Sequence, residues 1–222
     1  KRDDSSQKLY IDEVFQLIPS ELNAKNKRFI MKSLNEKARF ASYENSFLWL
    51  RDAGVALPTY NVEEPKLPLL LAKTRNLFKL FQSDVGLLTS QFADGIQLKL
   101  LGDNQAINYG AIYENVVAQE LKAHGFDLYY YNSKRLGELD FVVEYHGNVL
   151  PIEVKSGKDY ERHNALSNVM SSAEYALSEA LVLCNGNVSV DGKVVYMPIY
   201  MLMFLEKEQV VNVTYKLDLS DL

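Results

Sequence analysis

A chain of 222 residues holds one or two domains and can bury a core without disulfide or metal staples; its 47 % hydrophobic and 24 % charged fractions are those of an ordinary globular protein. The formal charge of −5 is unevenly spread, with 14 Lys and Arg against 11 Asp and Glu in residues 1–90 and 10 against 18 in residues 91–222. An overall basic footprint for nucleic acid is thereby excluded, and any such affinity must rest on a local patch, on bound metal or on parts outside this chain.

The first elements read as three helices and a small β-element. Leu9, Val14, Leu17 and Ile18 share one helical face, and Pro19-Ser20 is expected to break that helix. Asn26–Leu34 suggests a second helix. Phe40, Tyr43, Phe47 and Leu50 give the third, over Arg39–Ala53, which Gly54 ends. A turn-rich stretch from Val55, with Pro58, Pro65 and Pro68, then leads to the apolar run Leu77–Leu80. Together these predict a winged helix over residues 1–85. As a reading helix the third is poor: Glu44 and Asp52 offset its two cations, Arg39 and Arg51, so a packing or connector role is favoured over sequence-specific DNA contact.

Residues 86–108 read as a connector, with turn signals at Asp84-Val-Gly86, Asp94-Gly95 and Gly102-Asp-Asn104. From Tyr109 the order becomes helix (Gly110–His124), strand (Leu128–Tyr131), hairpin (Leu139–Tyr145 and Val149–Val154 around His146-Gly-Asn148), helix (Asp159–Ser178) and strand (Ala180–Cys184). That order predicts a mixed α/β sheet flanked by helices over residues 109–222. The longest apolar run, Val194–Leu205, is too short to span a bilayer and contains Pro198, so a buried strand is expected there. Residues 1–7 are polar and show no signal-peptide pattern, and the single cysteine, Cys184, excludes an intramolecular disulfide. A cytoplasmic location without a membrane partner is expected.

The hairpin carries the chemistry. Residues i and i+2 of a strand share a face, so Glu153 and Lys155 project together while Val154 turns inward, and the hairpin brings Asp140 beside them. Two carboxylates and an ammonium within an apolar sheet are costly unless they serve one another or a cation. Two carboxylates with open coordination suit Mg²⁺ or Mn²⁺ and a phosphate, and a neighbouring lysine can place a water and offset charge in the transition state. Glu138 shares the face of Asp140 and reads as a rim residue. Glu120 reads as solvated, and Arg162, His163 and Asn164 as a surface helix start. Three scattered histidines make no zinc site; Cys184 reads as a core thiol and Tyr129-Tyr-Tyr131 as strand residues.

The run Gly137-Glu-Leu-Asp140 … Ile152-Glu-Val-Lys-Ser-Gly157 resembles the D-x(n)-E-x-K signature of the PD-(D/E)XK, restriction-endonuclease-like superfamily. Gly110-Ala-Ile-Tyr-Glu114 is similar to the helix that carries that family's upstream glutamate. The resemblance implies that Glu114, Asp140 and Glu153 bind metal and that Lys155 acts beside them in catalysis. Over nearly the whole chain, Ile18-Pro-Ser-Glu-Leu22, Phe47-Leu-Trp-Leu-Arg-Asp-Ala-Gly54, Phe78-Lys-Leu-Phe-Gln-Ser-Asp-Val-Gly-Leu-Leu88 and Tyr113-Glu-Asn-Val-Val-Ala-Gln-Glu-Leu121 resemble a prokaryotic family. Its members are predicted AAA-type ATPases with a winged helix and a C-terminal nuclease-like domain of unknown function. No G-x-x-x-x-G-K-[ST] occurs, so ATP is expected only through a module upstream, and the absent initiator Met suggests a fragment. The expected partners are DNA, that upstream ATPase domain and a second copy of the chain. The expected activity is Mg²⁺-dependent DNA phosphodiester hydrolysis, with an inactive DNA- or protein-binding regulatory module as the alternative.

Overall fold

The structure, a computed structural model, describes residues 4–92, 95–102 and 109–207. Asp94, Asp103 and Asn104 of the expected turns, and the last residues of the expected C-terminal domain, lie outside them. The described elements are a mixed sheet of eight strands flanked by helices. The strands are β1 (Ala56–Val62), β2 (Lys73–Gln82), β3 (Tyr129–Ser133), β4 (Gly137–Tyr145), β5 (Asn148–Val154), β6 (Ala180–Cys184), β7 (Ser189–Asp191) and β8 (Val194–Pro198), in the order β2-β1-β3-β4-β5-β6-β8-β7. β1 lies parallel to β3, with Tyr60 opposite Tyr129, and antiparallel to β2, with Thr59 opposite Lys79. The hairpin expected as a wing is thus the outer part of the same sheet that carries Asp140 and Glu153.

On one face pack α1 (Asp4–Asn23), α3 (Phe40–Asp52) and α6 (Gly110–Ala123). Their buried Val14, Ile18, Leu50, Val117 and Leu121 meet Phe81, Phe141 and Ile152 of the sheet. On the other face Leu166 and Val169 of α7 (Asn164–Met170) pack on Tyr131, Leu139 and Val182. Three shorter helical turns, α2 (Met31–Leu34), α4 (Val85–Ser90) and α5 (Ile96–Leu101), link these elements.

Several expectations fail for identifiable reasons. Pro19 lies inside α1 and does not break it. Proline has no N–H to give the Phe15 carbonyl, and Gln91 Nε2 donates to that carbonyl instead, at 3.2 Å, while Ile18 and Leu22 stay buried. The second helix shrinks to Met31–Leu34 because Phe29 N donates to Phe78 O at 2.9 Å and Phe29 packs on Phe47 and Phe78, which extends the chain before it. The helix expected over Asp159–Ser178 is only Asn164–Met170. Ser171 caps its C-terminus, where serine competes poorly for a helix interior. Val194–Leu205 is a strand only as far as Pro198; Ile199–Phe204 is a 3-10 turn with Tyr200 and Phe204 exposed. Among the described residues no helix is long and apolar enough to cross a membrane.

The hairpin itself matches expectation. Phe141 faces Ile152 and Tyr145 faces Asn148, and the chain reverses through His146 (φ 47°) and Gly147 (φ 71°). Two successive left-handed residues make the type I′ two-residue turn, whose twist matches that of the strands.

Candidate active site

Glu114 enters the site from the first turns of α6, and Asn115 fixes how that helix sits. The Asn115 side chain accepts from Gln82 N at 2.8 Å and donates to Gln82 O at 3.0 Å, so it mimics a strand neighbour at the end of β2. Helix and sheet edge are thereby locked in register, and the neighbouring Glu114 is carried against β2. Asp140 is held from the other side, since its Oδ2 accepts from Val154 N of β5 at 2.9 Å. Glu153 and Lys155 project together as the strand period demands, with Lys155 Nζ 2.8 Å from Glu153 Oε1.

The four expected residues are linked through charge: Asp140 acts on both Glu114 and Glu153, and Lys155 on Glu153. Glu114 is pushed up to about 7, first by burial and then by the charge of Asp140, against the pull of Lys79 and Lys27. Glu153 is pushed up to about 8, first by burial and then by Asp140, with Lys155 opposing and Glu114 adding to the rise. Burial and a neighbouring carboxylate both favour the protonated form, and the lysines offset them only in part. Each glutamate also keeps one orphaned oxygen: Glu114 Oε2 and Glu153 Oε2 are buried without a hydrogen-bond donor. Asp140, Glu138 and Lys155 are partly exposed, so the cluster opens to solvent on their side.

Two lysines complete the site, and neither was expected there. Lys79 of β2 is completely buried, with Nζ 2.8 Å from Glu138 Oε1, 3.9 Å from Glu114 Oε2 and 5.0 Å from the centroid of the Tyr130 ring. Burial alone would lower its affinity for a proton, but Glu114, Asp140 and Glu138 outweigh burial and raise it. Lys27, in a left-handed turn after α1, makes an ion pair with Glu114 Oε1. The signal for Lys79 was present in the sequence as the one charge inside the run Leu77-Phe-Lys-Leu-Phe81. Nothing marked Lys27.

Glu138, expected at the rim, is a working part of this network: one oxygen meets Lys79 and the other accepts from Asn132 Nδ2. His163 is buried and hydrogen-bonds through Nε2 to the Tyr196 hydroxyl at 2.7 Å. Arg162 and Asn164 beside it are exposed, and Glu120 stands 4.0 Å from His124 Nε2. Tyr129, Tyr130 and Tyr131 are buried, which leaves no face for a base, and Cys184 is a core thiol.

Residues 109–202 match the model of a family described as a domain of unknown function, DUF4143. That domain is commonly found in proteins associated with AAA-type ATPases. No curated protein and no solved structure matches the chain. The matched segment contains Glu114, Glu138, Asp140, Glu153 and Lys155, whereas Lys27 and Lys79 precede it.

Among the described residues, no three His, Cys, Asp or Glu side chains form a ready metal cage. Glu114 is turned to its two lysines, and Asp140 to the Val154 amide. Mg²⁺ does not need such a cage, because it keeps several waters and takes one or two carboxylates. The orphaned oxygens of Glu114 and Glu153 and the raised proton affinities of both groups fit a divalent cation at this cluster.

Proposed function

We propose that the chain is the nuclease-like part of a larger ATPase-associated protein, of the PD-(D/E)XK type, and that it hydrolyses DNA phosphodiester bonds at the Glu114–Asp140–Glu153–Lys155 cluster with Mg²⁺ or Mn²⁺. The observation that carries this reading is the pair of buried, donor-less carboxylate oxygens on Glu114 and Glu153, whose carboxyls are held toward the protonated form first by burial and then by the charge of Asp140. In this reading the helices before β1 act as the connector to the ATPase.

Asp140 and Glu153 would hold the cation, with Glu114 joining directly or through water. When bound, such a cation polarises a phosphate and lowers the pKa of its water. Lys155, with its partly exposed ammonium beside Glu153, orients that water and offsets charge on the phosphate oxygens. The Val154 amide fixes Asp140, so the carboxylate does not reorient when substrate arrives.

A second reading is favoured by one observation: Glu114 is already engaged by two lysines. In that reading the cluster is neutralised from within and the chain is an inactive module that directs an ATPase to DNA or to a protein. Plasmid, branched and single-stranded DNA incubated with the purified chain and Mg²⁺ or Mn²⁺ separates the two. Cleavage that disappears in Asp140→Asn supports the nuclease. Intact DNA under every condition, or equal cleavage by the variant, sinks it and leaves the module.

A further inference from the structure

Lys79 is unlike the other charged groups of the cluster. It is wholly buried, it comes from a strand outside the matched segment, and it lies between two carboxylates that belong to that segment. An ammonium is not buried in a sheet for packing alone, since desolvating it costs several kcal/mol unless opposite charge surrounds it. Its Nζ reaches Glu138 at 2.8 Å and Glu114 at 3.9 Å, and Glu138 is tied in turn to Asn132. Lys27 closes the other side of Glu114.

The charge balance says what such a group does. With every carboxyl ionised, the state that takes a cation, Glu114, Glu138, Asp140 and Glu153 bring four negative charges, and Lys27, Lys79 and Lys155 bring three positive ones. One divalent cation would turn the remaining −1 into +1, which a single phosphodiester neutralises. Two cations would leave an excess of positive charge in a poorly solvated site.

We propose that Lys79 is a positioning residue of the carboxylate site, a fixed internal cation that holds Glu114 and Glu138 in place so that one divalent cation, and not a pair, completes the cluster. This rests on the reading of the cluster as a cation site. It also makes the site the joint property of β2 and of the matched segment, because the lysine that orders the carboxylates lies outside that segment.

The test is Mn²⁺ binding to the full chain, counted by electron paramagnetic resonance and titrated by calorimetry, with circular dichroism to follow the fold. The wild-type chain is expected to bind one Mn²⁺. Lys79→Met should bind about 10-fold or more weakly, the range seen when a group that orients metal ligands is lost, and Lys79→Arg, which keeps the charge, should recover most of the affinity. Loss of packing alone would not be rescued by the bulkier arginine. Should Lys79→Met fail to fold, Glu138→Gln takes its place, since Glu138 is partly exposed and its loss frees Lys79; it must then weaken Mn²⁺ binding. Two Mn²⁺ per wild-type chain, or unchanged affinity in the folded variant, overturns the proposal. One Mn²⁺ with unchanged affinity overturns the role of Lys79 alone, whereas no Mn²⁺ on the wild-type chain overturns the cation site as well.

Discussion

The buried ammonium of Lys79 on β2 stands 2.8 Å from the Glu138 carboxylate on β4, two residues before Asp140. Strand β2 is the outermost of its side of the sheet and is separated from β4 by β1 and β3. Contact between the two side chains therefore ties the edge of the sheet to the hairpin that carries the candidate chemistry.

Asp140→Asn should separate chemistry from folding. The asparagine Oδ1 still accepts from Val154 N, which now receives from Asp140 at 2.9 Å, so the melting temperature should hold within a few degrees. Burial still raises Glu114 and Glu153, but the second cause, the charge of Asp140, is gone, so the titration of both should move part of the way down, a shift that carboxyl-carbon NMR reads directly. Under the proposed function, cleavage falls about 100-fold or more, as for other groups acting in a preorganised charged site.

Stability without metal should fall as pH rises. Glu114 at about 7 and Glu153 at about 8 both lie above their ordinary value of 4.5. Between those limits the folded chain keeps protons that the unfolded chain has released. Their contribution is therefore complete below about pH 4.5 and is lost as pH rises through 7 and 8. Urea melts in chelator from pH 5 to pH 8.5 should show this decline, and Glu153→Gln should flatten part of it. Added Mg²⁺ should restore stability most at the alkaline end. A decline of the same slope in the variant would remove Glu153 as its source.

Lys27→Met removes one of two cationic partners of Glu114. Lys27 is about a quarter exposed, so the loss should be about 1–3 kcal/mol, below that of a fully buried pair. It should be larger at pH 8.5, where Glu114 carries its charge, than at pH 6, where it holds a proton. Equal losses at both pH values would mean that the lysine acts through packing.

Asn115→Ala should cost about 1–3 kcal/mol, because the amide and carbonyl of Gln82 are left buried without their partner. Under the proposed function the same change also loosens Glu114 against Lys79, so chemical denaturation and Mn²⁺ titration should report losses together.

Gly137→Ala should destabilise by about 3 kcal/mol, from a left-handed backbone and from overpacking. Gly137 has φ 102°, and a Cβ there would lie 2.7 Å from Ala165 Cβ on α7. Gly147→Ala, equally left-handed but with open space around it, should cost only about 1 kcal/mol. Thermal melts of the two variants should rank in that order.

What was legible in the sequence is local. Two apolar runs around the His146-Gly-Asn148 turn gave the β4/β5 hairpin, i, i+2 spacing put Glu153 and Lys155 on one face, and Gly125, at φ 83°, follows the helix that carries Glu114. These follow from strand and helix periods, which a single stretch of chain contains. Tertiary structure alone decided the rest. The Phe15 carbonyl found Gln91, so Pro19 does not end α1; Phe29 found Phe78, so the second helix is a single turn. Lys79 and Lys27 reached Glu114 across gaps of 35 and 87 residues. A lysine in an apolar run shows that a charge is buried, but only the pairing of β1 with β3 brings its carboxylates to it, and that long-range pairing has no period to betray it.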